Sequence, residues 1–436
     1  MTMRKLWLNS ILAALALAPA LGHACGDDAL RDQLREIGFQ VPPEWIAELP
    51  PQIETLALAR WQEAPTQTED QQDQAYYADL DQKHRNDLIN DVKLGRSVSL
   101  EVLKELKVSS STNMADRVTR IGNELAEIAN KSLVTVSWGD KRLNPFRYKF
   151  TVVEGKDVNA FSLPGGFIYI YEGLIKYAET DQELAGVLAH EISHASFRHV
   201  AVLQREQSKL TAITLPLILI GLLSGSEAGA GIAQVGSLAN QAIGSGWSVK
   251  AEKSADYGGF QYMQKSKYET VGMLTFMERL SYDERGEGRV DWGIYKTHPP
   301  SPDRVSAFIA LMHGAGIPIH RSISSTTLRA IPVEQTDGTH SIRLMNRTVV
   351  TLSGDTAVGR ISALAEELNK FFDEMPSVYE VEARPDGSVW GRDKKLFQPN
   401  EADAEVAKQT IPEFGSAIVK VLKQAIFELQ YRIWNN

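Results

Sequence analysis

The chain has 436 residues, 43% of them apolar and 23% charged, an ordinary balance for a folded protein with room for more than one domain. Its 46 Lys and Arg against 55 Asp and Glu leave a formal charge of -9, and no basic cluster marks a nucleic-acid footprint, so a nucleic-acid partner is not expected. The single cysteine, Cys25, rules out an internal disulfide, so stability has to come from packed cores.

The first residues read as an export signal. Arg4 and Lys5 precede an apolar stretch over residues 6–21, and Gly22-His23-Ala24 places small residues where a signal peptidase reads them. Residues 1–24 are therefore expected to be a signal peptide and the protein periplasmic. Cys25 follows the cleavage point directly, which raises lipid attachment as the alternative; Gly22 stands where a lipoprotein signal prefers a large aliphatic residue, and this favours the unlipidated form.

Residues 25–75 are polar, interrupted by Pro42-Pro43 and Pro50-Pro51, and read as a loosely held N-terminal arm. Helical periodicity begins near Tyr76 and continues through Val98, Val102 and Leu106 to a Ser-rich break at residues 109–112. Met114, Val118, Ile121, Leu125 and Ile128 then give one apolar face of a second helix. Strands are expected over residues 133–138, 148–153 and 167–171, the last reached through the turn Pro164-Gly165-Gly166. A helix follows over residues 181–200, with Thr180 as its N-cap.

An apolar run over residues 210–223, opened by Leu210, closed by Leu223 and broken by Pro216, falls short of the roughly 20 residues needed to cross a bilayer. It reads as a buried helical hairpin or as a lid that touches a membrane surface. Beyond Pro318 come one or two strands within residues 341–353, a helix over 357–372, a hairpin over 379–390 turning at Pro385-Asp386-Gly387, and a closing helix from Asn400 to Trp434. This tail, residues 325–436, is expected to be a small α+β domain.

The chemistry is carried by His190-Glu191-Ile192-Ser193-His194. At about 100° per residue, positions four apart on a helix differ by roughly 40°, so both imidazoles leave one face and suit two bonds to a single zinc. Glu191 sits beside them, placed to take a proton from water rather than to bind the metal. Leu184, Val187, Leu188 and Ile192 surround the motif, and histidines in so apolar a setting need partners. The catalytic form of such a site has three protein ligands. His199 lies about 140° round the helix from His194, which makes it a structural or outer residue. Glu252 fits the third place, and Asp256, one turn on, is placed to accept the free N–H of a ligand histidine.

Several separated pieces together resemble the HtpX/BepA-like zinc metallopeptidases, which include the CAAX prenyl endopeptidases: Asn159-Ala160-Phe161 with Leu163-Pro164-Gly165-Gly166, the helix from His190 to His194 with Arg198-His199, Glu252 to Asp256, and Thr297-His298-Pro299-Pro300 with Arg304. The resemblance covers roughly residues 76–312. It implies a mostly helical zincin-type peptidase domain with a small β-sheet, the whole chain being α+β. It implies one zinc held by His190, His194 and Glu252, Glu191 as general base, and a strand near Asn159, Ala160 and Phe161 that pairs with substrate main chain. His298 and Arg304 would either stabilise the oxyanion, or His298 would close the open zinc position as a latch. BepA-like members usually carry helical repeats after the protease domain, and none is expected in the tail of this sequence. The resulting expectation is a periplasmic endopeptidase acting on unfolded or misassembled proteins. A holdase with a vestigial site is the competing reading, and a purely structural zinc site a third.

Overall fold

The computed structural model describes residues 69–206, 247–286 and 302–431, and the chain separates into two compact units, residues 1–79 and 80–436. The expected signal peptide, Cys25, most of the polar arm, the apolar run at 210–223 and His298 all lie outside the described residues. Of the first unit, the described part is essentially helix α1 (Glu69–Tyr76).

The second unit opens with α2 (Gln82–Glu105), capped by Asp81 accepting from the His84 amide at 3.0 Å, and α3 (Thr112–Lys131), capped by Ser111. Strands β1 (Lys149–Val153), β2 (Ala160–Leu163) and β3 (Phe167–Tyr171) form one sheet in the order β1-β3-β2. β1 runs parallel to β3, while β2 runs antiparallel to it with Ala160 opposite Ile170 and Leu163 opposite Phe167, so β2 is an edge strand. The tight passage between β2 and β3 depends on Gly165 and Gly166, at φ of +79° and +87°. The alternation at residues 133–138 is real in burial, since Val134, Val136 and Trp138 point inward, yet no ladder forms there; a strand needs a neighbour as well as a pattern.

A short helix α4 (Glu172–Tyr177) leads to α5 (Asp181–Ser196), the central helix of this region. α5 is buried almost all round, which explains its unbroken run of Leu, Ala, Gly, Val and Ile. The single helix expected over 181–200 is in fact two: Arg198 adopts φ +50° and the chain restarts as α6 (His199–Glu206). Helices α7 (Trp247–Met263), α8 (Val271–Gly286) and α9 (Pro302–Gly314) complete the layer. α5 meets its neighbours at glycines. A Cβ on Gly186 would lie 2.7 Å from the Met273 backbone, and one on Gly258 would lie 2.4 Å from the Phe197 ring and 2.7 Å from Ser193 Oγ. These absent methyls let α7 and α8 approach α5 closely.

The remaining chain builds an antiparallel sheet of β4 (Ile331–Glu334), β5 (His340–Leu344) and β6 (Arg347–Leu352), helix α10 (Ala357–Asp373), and a second antiparallel sheet of β7 (Val381–Ala383), β8 (Val389–Gly391) and β9 (Lys394–Phe397). The closing helix is interrupted: Lys408 takes a left-handed conformation after α11 (Glu401–Ala407), and Thr410 caps a fresh start at α12 (Ile411–Leu429). α10 and α12 share one apolar core with both sheets, through Leu364, Leu368, Leu422 and Ile426 among others. The fold is thus α+β, a helical region with a small sheet followed by a small-sheet region, and no described helix is long and apolar enough to cross a membrane.

The segment joining the two regions is tied to the helical one. Thr180 Oγ1 donates to the Ser324 carbonyl at 2.6 Å, Ser325 Oγ and the Thr327 amide donate to Glu179 at 2.7 and 2.9 Å, and buried Arg321 grips Glu278.

Candidate metal centre

Three helices carry the centre. α5 presents His190 and His194 from one face, α7 presents Glu252 and Asp256 one turn apart, and α9 presents Arg304. His190, Glu191, Glu252, Asp256 and Arg304 are all buried. The Nε2 atoms of His190 and His194 lie 3.0 Å apart, and the Glu252 carboxylate oxygens lie 3.3 Å from each. With bonds of about 2.0–2.1 Å, a tetrahedral zinc has ligand atoms roughly 3.3–3.4 Å from one another. The two nitrogens and one carboxylate therefore already sit near the spacing such an ion needs, and they are the grouping that could hold a metal among the described residues. The donor set fits zinc: two imidazoles and a carboxylate, with no requirement for sulfur.

Behind these atoms runs a chain of contacts. His190 Nδ1 is 3.0 Å from Asp256 Oδ1. Arg304 donates from Nε and Nη2 to both oxygens of Asp256 at 2.7 Å, and its Nη1 is 3.1 Å from Glu252. Burial alone would push the Asp256 carboxyl up, but the guanidinium and His190 outweigh it and hold it at about 2. Burial likewise opposes a charge on His190, yet Asp256 and Glu252 raise it to about 10 in the metal-free protein. Two anionic groups thus prepare this pocket for positive charge. Arg304 itself is held charged against burial by Asp256 and Glu252, with Glu191 close enough to contribute.

On the far side of His194, Nδ1 lies 2.9 Å from Nδ1 of His199, which burial and the neighbouring His194 keep well below its ordinary pKa. The end of α5 is locked by a second network that sequence reasoning did not anticipate. Arg198 binds Asp91 and also Asp140 at 2.9 Å, while Arg142 bridges Asp140 and Asp87. These residues are scattered over more than a hundred positions, and nothing in their local sequence marks them as partners.

The residues expected to face substrate lie on the outer strand of the first sheet. Asn159 precedes β2, and the side chains of Ala160 and Phe161 are buried, Phe161 stacking on Tyr169 at 5.0 Å. What this strand has to offer a peptide is its main chain. Arg304 is found among carboxylates, and the position of His298 relative to it lies outside the described residues.

Comparison with known proteins agrees with this geometry. Residues 117–311, the stretch from within α3 to within α9, match peptidase family M48. This stretch thus resembles an M48 peptidase domain. The chain is 32% identical over 193 residues to the beta-barrel assembly-enhancing protease of Yersinia pestis, covering 43% of this chain and 37% of that protein. To its namesake in Escherichia coli K12 it is 29% identical over 218 residues, 46% of this chain and 43% of the relative. The metalloprotease YcaL of Escherichia coli K12 is 28% identical over 198 residues, 45% of this chain and 72% of YcaL. The chain thus spans about two fifths of the length of the assembly-enhancing relatives, and the C-terminal sheets and α12 lie beyond the M48 match.

Proposed function

We propose that this chain is an exported zinc-dependent endopeptidase that cleaves peptide bonds in unfolded or misassembled proteins. The observation that carries this reading is the convergence of His190 Nε2, His194 Nε2 and the Glu252 carboxylate at 3.0–3.3 Å beside a buried glutamate. His190, His194 and Glu252 hold the metal, and Asp256 orients His190. Zinc in such a site supplies a Lewis acid that lowers the pKa of a coordinated water to near 7. Glu191 takes a proton from the attacking water at its carboxylate and delivers it to the leaving amine. A peptide laid along β2 hydrogen-bonds to main chain, which suits substrates recognised by being extended rather than by sequence. His298 and Arg304 are assigned to the same site, His298 as oxyanion donor or as a latch on the metal.

The substrate class follows the relatives named for β-barrel assembly, which favours misassembled proteins of that kind and a periplasmic setting. The M48 domain is taken as residues 76–312, with residues 325–436 as an appended α+β domain. The apolar run at 210–223 is the element proposed to touch a membrane surface.

The test is Glu191→Gln measured two ways. Zinc content should stay at one ion per chain while cleavage of an unfolded casein-type substrate falls about 10²–10⁴-fold, and a chelator should silence the wild type. Full cleavage by the variant would remove Glu191 from its role, and a wild type that takes up no zinc would remove the metal centre.

A further inference from the structure

The two ligand histidines are backed differently. Behind His190 stands a carboxylate, Asp256, itself gripped by Arg304. Behind His194 stands another imidazole, that of His199, with the two Nδ1 atoms 2.9 Å apart and the rings nearly perpendicular at 84°. We propose that His199 is a positioning residue: as a neutral imidazole with its proton on Nε2, it accepts a hydrogen bond at Nδ1 from His194 Nδ1–H, fixing the tautomer and ring orientation that leave His194 Nε2 open to the metal. This inference rests on the metal-centre reading above.

Proton counting at the pair decides the direction of the bond. One hydrogen lies between two ring nitrogens, and either could carry it. If His199 Nδ1 donated, His194 would hold its own proton on Nε2, aimed at Glu252 and His190 Nε2, where it would block a cation. If His194 Nδ1 donates, its Nε2 lone pair faces those same atoms and can bind metal. His199 then carries its proton on Nε2, a buried atom of a ring whose residue has the Trp138 main chain near it. Both rings stay neutral in a setting where a buried imidazolium would be costly.

The ring of His199 is held in place by packing. Trp138 lies against it at 5.1 Å and Phe197 at 5.7 Å between ring centres. The backbone at Gly139 comes so near that an added Cβ would be 3.2 Å from His199 Cδ2 and 2.9 Å from Phe197 Cβ. The break in the helix at Arg198, with φ +50°, turns His199 back toward His194 across an angular gap that a continuous helix would not close. Arg198 is itself committed to Asp91 and Asp140.

Charge explains why an imidazole stands here rather than a second carboxylate. A divalent cation and Arg304 bring three formal positive charges, and Glu191, Glu252 and Asp256 bring three negative ones. A further buried carboxylate behind His194 would have no guanidinium to meet it, since Arg198 is already engaged. A neutral acceptor orients the ligand without unbalancing the pocket.

Two variants and one spectrum test this. His199→Phe keeps an aromatic ring between Trp138 and Phe197 but offers no acceptor. His199→Asn places its side-chain oxygen near where Nδ1 stands. Zinc affinity is read by competition with a chromophoric chelator, and folding of each metal-free variant by its unfolding midpoint. His199→Phe should bind zinc about 10–100-fold more weakly than wild type, and His199→Asn should recover most of that loss. A His199→Phe protein that binds as tightly as wild type overturns the proposal, as does a folded His199→Asn that binds no better than the Phe variant. Should His199→Phe fail to fold, nitrogen-15 spectra of the zinc-loaded wild type decide instead: His194 Nδ1 protonated and His199 Nδ1 unprotonated are expected, and the reverse assignment refutes it. A wild type without zinc affinity would overturn the metal centre itself, a different outcome from a zinc-binding protein indifferent to position 199.

Discussion

The helical region around α5 and the C-terminal region bury the same kinds of apolar side chain but differ in what else they bury. Around α5 the interior holds Glu183, Glu191, Asp256, Arg304, Arg198 and Asp91, most of them in charge-assisted contacts. From β4 onward the buried polar residues, among those described, come down to Ser341, Ser388 and Asp403, the last paired with Arg360 at 2.6 Å. One region is held mainly by apolar contacts; the other carries clustered ions whose removal one at a time leaves partners stranded. A helix bundle that needs only stability has no use for such groups, so their concentration near His190 and His194 itself marks where chemistry is placed.

The sharpest way to break this contrast is Arg304→Met. It removes the guanidinium that grips Asp256 and Glu252 and leaves them to His190, and the zinc-free protein should lose about 3–5 kcal/mol in urea unfolding. A loss below about 1 kcal/mol would mean that those carboxylates are solvated after all. Leu368→Ala, in the C-terminal core, should cost about 2–5 kcal/mol while leaving zinc stoichiometry at wild-type level. If zinc binding falls with it, the two regions are not energetically separate.

Glu183 offers a pH test. Burial outweighs the Arg279 guanidinium 2.6 Å away and pushes this carboxyl from 4.5 up to about 7. Below about pH 4.5 it is protonated in both states and contributes nothing. Between about 4.5 and 7 the unfolded chain releases the proton and the folded chain keeps it, so stability falls as pH rises. The decline should be on the order of 2–3 kcal/mol across that window, and Glu183→Gln, which resembles the protonated form, should flatten it. Parallel pH profiles for the two proteins would show that the ion pair with Arg279 dominates instead. The smallest effect is expected at the exposed pair Lys131–Glu127 on α3, where Lys131→Ala should leave the unfolding midpoint unchanged.

Local patterns carried the elements that depend on local rules. The apolar face of α3, the Thr180 cap and the spacing of His190 and His194 all follow from helix periodicity, and each has its counterpart in the structure. Glu252 with Asp256 was legible because a carboxylate pair one turn apart is a recognisable helical unit. Features made by distant pieces were not. Residues 133–138 alternate yet join no strand ladder, β4 and β9 are short strands that gain their ladders only from partners, and the closing helix breaks at Lys408 without a glycine to announce it. The contacts of Arg304 with Asp256 and Glu252 had no local signal; only the packing of α9 against α7 reveals those partners.

The glycines at the helix crossings have a consequence for how this protein tolerates change. The gap between the imidazole pair on one helix and Glu252 on the next is a gauge set by a missing methyl group at Gly258, while Gly186 sets the clearance of the same helix from α8. Neither residue has a side chain to touch the ion, yet one added carbon at Gly258 would act as a wedge and spread the jaws that grasp it. Sensitivity in this domain therefore follows helix clearance more closely than distance from the metal.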